Sequence, residues 1–150
     1  PTCLPNRWRA KASCPLKRTE MEDAVFRIRG YHLDGYGHVN NARYLEFLEE
    51  ARWHFFEQHD LLGELAGVQI VVARVDIRYR RSAVAGDVLT VRNRVKTVEP
   101  RLAVIRQIVS FADSGKTAAQ ADITLVPVSD GRSTEFPAAV FQTLQQMFLP

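Results

Sequence analysis

The chain has 150 residues, 46% of them hydrophobic and 25% charged, the figures of one ordinary globular domain with no room for a second of full size. This composition excludes disordered and collagen-like chains, and charged residues interrupt every apolar run before the roughly 18 to 20 residues that a membrane-spanning helix needs. A water-soluble protein without a membrane partner is therefore expected. The formal charge of +3 is unevenly spread: residues 1–20 carry Arg7, Arg9, Lys11, Lys17 and Arg18 against Glu20 alone, which leaves fifteen basic and sixteen acidic residues from position 21 onward. A body that close to neutral lacks the electrostatic footprint of a nucleic-acid-binding domain, so no nucleic-acid partner is expected either.

Both cysteines, Cys3 and Cys14, fall in the same basic segment, which Pro5 and Pro15 interrupt and which has no apolar stretch of the signal-peptide kind. Residues 1–20 are expected to be a non-native or disordered extension, with Met21 as the natural start and residues 21–150 as the single domain. A disulfide between the two cysteines cannot be inferred from so flexible a stretch. With no cysteine in the domain itself, nothing points to secretion, and a cytoplasmic location is the default.

In chain order, alternation from Ala24 to Tyr31 predicts a strand that ends in the glycine-containing segment Asp34-Gly35-Tyr36-Gly37. Residues 41–62 contain no Gly or Pro before Gly63, are rich in Leu, Glu, Ala and Arg, and follow Asn40 and Asn41, either of which can cap a helix. Their apolar positions, among them Tyr44, Phe47, Leu48, Ala51, Phe55 and Phe56, cover enough of the cylinder to predict a helix largely wrapped by other structure. Period two then takes over. Residues 70–80 are expected to place Val71, Ala73, Val75, Ile77 and Tyr79 on one face and Arg74, Asp76, Arg78 and Arg80 on the other. Strands over 88–98, 102–112 and 117–127 follow, separated by turns at Gly86-Asp87, Glu99-Pro100 and Ser114-Gly115, and Ala138 to Phe148 form a last helix behind Pro137. Such short connections favour antiparallel hairpins over parallel crossovers. The fold class is α+β: one antiparallel sheet with a long helix to cover one face.

The chemistry is concentrated in YHLDGYGHVNNARY, residues 31–44. Asp34 stands at the end of a strand and the helix opens six residues later, so a carboxylate and a helix N-terminus face one space. Free N–H groups of a first helical turn can stabilise a developing oxyanion, and Asp34 can attack an acyl carbonyl or deprotonate water. The plainer reading makes Asp34 a turn former and the asparagines a cap. His32, His38 and Asp34 match no standard metal spacing, so no metal and no cofactor are expected. His54 and His59, five apart on the helix, read as surface or interface residues, and the arginine-bearing strand faces as solvated. No Gly-x-Ser-x-Gly elbow, catalytic cysteine, phosphate loop or dinucleotide fingerprint is present.

RGYHLDGYGHVNNARYLEFLEEARW, residues 29–53, resembles the motif Asp-x-x-Gly-His-Val-Asn-Asn-x-x-Tyr of the 4-hydroxybenzoyl-CoA thioesterase family, and more narrowly its bacterial long-chain acyl-CoA thioesterase III branch. DIRYRRSAVAGD, residues 76–87, extends the similarity, which runs from about Phe26 to Val128. The resemblance implies a hotdog fold, a long central helix wrapped by a curved antiparallel sheet of about five strands, in a homodimer or homotetramer with sites at the subunit interface. It implies hydrolysis of fatty acyl-CoA, with acyl-carrier-protein or aryl-CoA thioesters, or a non-catalytic acyl-CoA-binding role, as alternatives. By position it assigns Asp34, Asn41 and His38 to catalysis, with the thioester carbonyl against the Asn41 amide and Asp34 as nucleophile or general base. It assigns Gly37, Val39, Asn40, Tyr44 and Leu48 to substrate binding, places the acyl chain among Leu48, Phe55 and Val71, and offers Arg78, Arg80, Arg81 and Arg101 to the CoA phosphates. His32 stands where many relatives carry a second acid, which argues against a role needing two carboxylates there.

Overall fold

The computed structural model describes residues 22–148, so the expected N-terminal extension, the start at Met21 and the cysteine pair lie outside the described residues. The elements run β1 (Ala24–Arg27), α1 (Asn41–Gln58), β2 (Gln69–Tyr79), β3 (Val88–Glu99), β4 (Leu102–Phe111), β5 (Thr117–Ser129), β6 (Arg132–Ser133) and α2 (Ala138–Met147), with 3-10 turns at Gly30–His32 and Leu62–Leu65. The strands form one antiparallel sheet in the order β1-β3-β4-β5-β2, with β6 beside β5. The α+β layout and the antiparallel hairpins are those expected. Among the described residues no helix is long and apolar enough to cross a membrane.

Alternation selects the inner face of the sheet. Leu89, Val91 and Val95 on β3, Ala103, Ile105 and Val109 on β4, and Ala119, Ala121, Ile123 and Leu125 on β5 are all buried. Onto them α1 lays Phe47, Leu48, Ala51 and Phe55, a stripe of helical spacing. Two polar side chains share this interior. Asn93 falls between Val91 and Val95 and Gln107 between Ile105 and Val109, and both point inward with the apolar residues around them. The Gln107 amide N–H group donates to the Leu48 carbonyl (2.9 Å) and to Asn93 Oδ1 (2.7 Å), while Asn93 Nδ2 donates to the Ala51 carbonyl (3.0 Å). Sheet side chains can reach helix carbonyls because alanines at 51, 103, 119 and 121 keep the two layers close.

The structure departs from the sequence reading at three places. β1 stops at Arg27 rather than Tyr31, because its partner β3 begins at Val88; one further pair of bonds ties Ile28 to Gly86 and Asp87, and the chain then turns. α1 stops at Gln58 rather than Leu62. Asp60 adopts φ 54°, and the N–H groups of Asp60 and Leu61 close back on the carbonyls of Glu57 (3.1 Å) and Phe56 (2.9 Å), a Schellman stop that buries Leu61 beside Phe56. That position ordinarily takes glycine, so no breaker marks it in the sequence. His59, read as a surface or interface residue, packs its ring on Phe55 at this stop, with Nε2 buried.

The third departure concerns β2. A bulge at Ala73 shifts its register against β5, from Val72 opposite Leu125 to Arg74 opposite Thr124. Ile70 and Val72 therefore join Val75, Ile77 and Tyr79 on the inner face, while Val71 goes to the outer face, where Arg74, Asp76 and Arg78 follow it. The expected grouping of Val71 and Ala73 with Val75 is thus corrected. β2 is also an edge strand, paired with β5 on one side only, and it leaves Val71, Val72, Val75 and Tyr79 40 to 48% exposed.

On the outer face Asp122 accepts two hydrogen bonds from Arg106 (2.8 and 3.0 Å) and one from Lys96 (2.6 Å). The Arg106 bonds hold its carboxyl at about 2, below the usual range, against the opposing effect of partial burial. A depressed carboxyl pKa stabilises the fold above the unfolded value near 4 and ceases to do so as pH falls toward 2. Wild type should therefore exceed Asp122→Asn by about 1–2 kcal/mol at neutral pH, after allowance for the partly exposed cations. In urea denaturation that margin should shrink steadily between about pH 4 and pH 2; a margin unchanged by acid would contradict the assignment. In the core, Gln107→Leu leaves the Asn93 oxygen and its other partners unmet and should cost about 2–4 kcal/mol, whereas Arg43→Ala, which breaks only the exposed pair with Glu46, should cost under about 1 kcal/mol.

Candidate functional site

The segment between β1 and α1 is a tight hairpin. The Asn40 N–H donates to the His32 carbonyl (2.9 Å), Leu33 and Val39 form an isolated bridge, and the Asp34 N–H donates to the His38 carbonyl (2.7 Å). The turn closes with the Gly37 N–H on the Asp34 carbonyl (3.1 Å), and Gly37 itself sits at φ 77°, a left-handed value that a side chain would strain. Leu33 and Val39 pack toward the core, and the Val39 N–H donates to the carbonyl of buried Ala83 (2.9 Å), which fixes the hairpin to the segment after β2. Alternation about the bridge then puts Asp34, His38 and Asn40 on the opposite side from that core contact, while His32 belongs to the preceding 3-10 turn and its ring meets Phe47.

Asp34 is partly buried, and its Oδ1 accepts from the N–H groups of Tyr36 (2.8 Å) and His38 (3.3 Å). This is the turn-forming role of the plainer reading, and it occupies one carboxylate oxygen. No bond to Oδ2 is found among the described residues. Asn40 is the N-cap, with Oδ1 accepting from the Ala42 N–H (3.0 Å), which settles which asparagine caps. Asn41 is the first helical residue. Its N–H has no intrahelical acceptor, as at every helix start, and it finds no other among the described residues. Across from it, the Tyr79 hydroxyl donates to the Asn41 carbonyl (2.9 Å) and the Tyr79 ring meets Tyr44 edge to face, tying the helix start to the end of β2.

His32 accepts the Arg29 N–H at Nδ1 (2.9 Å) and lies edge-on to Phe47. Burial lowers its pKa below the usual histidine value, and the nearby Arg43 lowers it further, which favours the neutral ring. His38 is exposed, as are Gly37 and Asn41. Tyr44 and Leu48 are core residues, 3% and 0% exposed. Phe55, expected near an acyl chain, is likewise buried.

A cavity of about 450 Å³ lies elsewhere, between the middle of α1 and the first half of β2. Its walls include Arg52, Trp53, Phe56, Ile70 and Val72, with Glu49 at the rim. Val71 borders it, but none of the eight residues assigned to the site does. Sequence reasoning missed Arg52 and Glu49 because charged residues on an exposed helix face ordinarily read as solvated.

The hairpin, the helix start and the cavity belong to a chain with many relatives. The model of the thioesterase-like superfamily matches residues 28–144. The long-chain acyl-CoA thioesterase FadM of Escherichia coli (strain K12) is 42% identical over 102 residues, 67% of this chain and 77% of that protein. The crystal structure of the YbaW probable thioesterase of Escherichia coli superposes with a TM-score of 0.76 at 35% identity, covering 85% of this chain and 99% of that one. A thioesterase of Thermus thermophilus, solved with coenzyme A and Zn, superposes with a TM-score of 0.71 at 30% identity over 83% of this chain and 95% of that one. The layout expected from the sequence is thus that of solved hotdog thioesterases, and this chain belongs to the thioesterase-like superfamily.

Proposed function

We propose that this thioesterase hydrolyses fatty acyl-CoA, with a preference for long chains, and that Asp34 and the Asn41 N–H carry the reaction. The observation behind this reading is the pairing of an Asp34 carboxylate that has one oxygen uncommitted with an unoccupied N–H at the first position of α1. A thioester carbonyl oxygen seated on the Asn41 N–H is polarised by that donor and by the positive end of the helix. Asp34 Oδ2 then takes a proton from water as the resulting hydroxide adds to the carbonyl carbon, or it adds directly and forms a mixed anhydride that water cleaves. In both routes the carbon–sulfur bond breaks and CoA leaves as thiolate. Gly37, His38, Val39 and Asn40 shape the approach, and Tyr79 holds the helix start in place through the Asn41 carbonyl. The preference for long chains draws support from the similarity to a long-chain acyl-CoA thioesterase and from an apolar cavity much larger than a short acyl group needs.

The active form in this reading is a homodimer, built by antiparallel pairing of two β2 edges. Support comes from the free edge of β2 and from the exposed apolar side chains Val72, Val75 and Tyr79 along it, which a lone sheet would leave open to aggregation. A two-fold axis near Arg74 sets the Gln69 end of one strand against the Tyr79 end of the other. The cavity behind Ile70 and Val72 of one copy then lies beside the Asp34 hairpin of its partner, which reconciles a catalytic loop and an acyl cavity that one chain keeps apart.

Two substitutions test the chemistry by release of CoA thiol. Asp34→Asn retains an Oδ1 acceptor for the turn and removes the charge; kcat/KM should fall about 10²–10⁴-fold with little change in Tm. Asn41→Pro deletes the N–H at the one helical position that proline favours, behind an Asn40 already at φ −58°, ψ 136°, a conformation compatible with a following proline. A fold of unchanged Tm with kcat lowered about 10²–10³-fold is expected; wild-type turnover in either variant would refute the assignment. A panel of short, medium, long and aryl acyl-CoAs decides the substrate class, and oxygen-18 appearing in Asp34 after a single turnover would select the anhydride route. Light scattering should give twice the chain mass or a multiple of it, and Val75→Arg should lower that mass together with activity.

A further inference from the structure

Arg52 is the one residue of the cavity wall whose chemistry neither the turn nor the catalytic pair explains. Its stem leaves α1 on the side of β2, its guanidinium is largely buried, and its Nη1 donates to Gln107 Oε1 at 2.9 Å. The Gln107 amide cannot rotate, because its N–H group is committed to the Leu48 carbonyl and Asn93 Oδ1, so Oε1 is fixed toward Arg52 and the guanidinium is held in one orientation. Among the described residues this is the only side-chain hydrogen bond of Arg52, and no carboxylate approaches it within 4 Å. The remaining N–H donors border a cavity walled otherwise mainly by apolar side chains such as Trp53, Phe56, Ile70, Val72 and Leu125. Burial draws the Arg52 pKa below the usual arginine value, while the charge of Glu49, one turn away, acts in the opposite direction. An oriented cation with unmet donors in an apolar cavity is costly unless an acceptor joins it. The acceptor that Arg52 already has, Gln107 Oε1, is a neutral oxygen, and a second neutral oxygen fits the donors that remain.

We propose that this cavity selects acyl chains bearing a hydroxyl or keto oxygen beyond the thioester, with Arg52 as the specificity-determining donor and Gln107 as the residue that positions it. The proposal rests on the acyl-CoA reading above and adds a class of chain to it. A plain chain leaves the guanidinium facing methylenes, whereas a hydroxylated one satisfies a donor that is already aimed and partly buried, the circumstance in which one hydrogen bond discriminates between chains.

The test compares kcat/KM of the wild-type protein for dodecanoyl-CoA, 3-hydroxydodecanoyl-CoA and ω-hydroxydodecanoyl-CoA, measured by thiol release in direct competition. One hydroxylated isomer should exceed the plain chain by about tenfold or more. In Arg52→Met that ratio should fall to near one, and Arg52→Lys should restore part of it. Because the ratio is independent of the fraction of enzyme folded, a purely structural role for Arg52, as a tie between α1 and the buried amides, would lower all rates alike and leave the ratio untouched. Plain and hydroxylated chains turned over equally by wild type, or a preference that survives in Arg52→Met, would overturn the proposal while leaving the thioesterase reading intact. Failure of wild type to hydrolyse any of the three would overturn both.

Discussion

The fold turns on one buried amide. Gln107 stands beside Asn93 in an otherwise apolar interface between α1 and the sheet, and its hydrogen bonds restrict how the two layers meet. Apolar side chains alone tolerate sliding, since one methyl group replaces another at little cost. A donor that must find the Leu48 carbonyl tolerates none, because a shifted helix strands it unpaired in low dielectric. The amide thereby sets the position of α1 along its axis. The consequences appear at two places along α1: the helix start arrives beside the Asp34 hairpin, and Arg52, bonded to the same amide, arrives at the cavity.

The second constraint is the edge of the sheet. β2 has a partner on one side only, and the bulge at Ala73 decides what its free half displays. Without the extra residue, Ile70 and Val72 would share the outer face with Arg74 and Asp76, and the cavity would lose two of its apolar walls. The apolar strip along the free edge also borders the cavity, so the assembly and the acyl site proposed above would draw on one surface.

Much of this architecture was legible from residue patterns. The period-two runs gave four of the strands to within a residue or two, and the Gly- and Pro-free run gave α1, because burial on one face leaves a periodic trace that local sequence cannot hide. What escaped were features in which an unusual residue does a common job. Asp60 stops α1 where glycine is the ordinary signal, and Ala73 forms a bulge with nothing in its identity to announce one. Asn93 and Gln107 were findable: each sits at an inward position of an alternating strand, flanked by buried residues, and a polar residue with that parity is a candidate for a core hydrogen bond. Arg52 carried no such mark, since its partial burial beside the cavity depends on β2, which lies far away in the chain.

Asp34 shows why the plain and the chemical readings of a residue need not compete. A carboxylate has two oxygens, and the hairpin uses one of them: Oδ1 collects the N–H groups of Tyr36 and His38 and closes the turn. This use prepares the other. A surface carboxylate on a free side chain samples several rotamers and loses entropy when it must act from one of them. Here the turn has already fixed the rotamer, in a hairpin whose far strand runs directly into the capping residue Asn40 and the open N–H of Asn41. The distance from carboxylate to helix start is then a property of backbone hydrogen bonds, from Asp34 to His38 and from Asn40 to His32, rather than of side-chain packing. The turn former is in this sense the positioning device for the reaction proposed for it, because the hydrogen bonds that make Asp34 ordinary are the ones that hold it still.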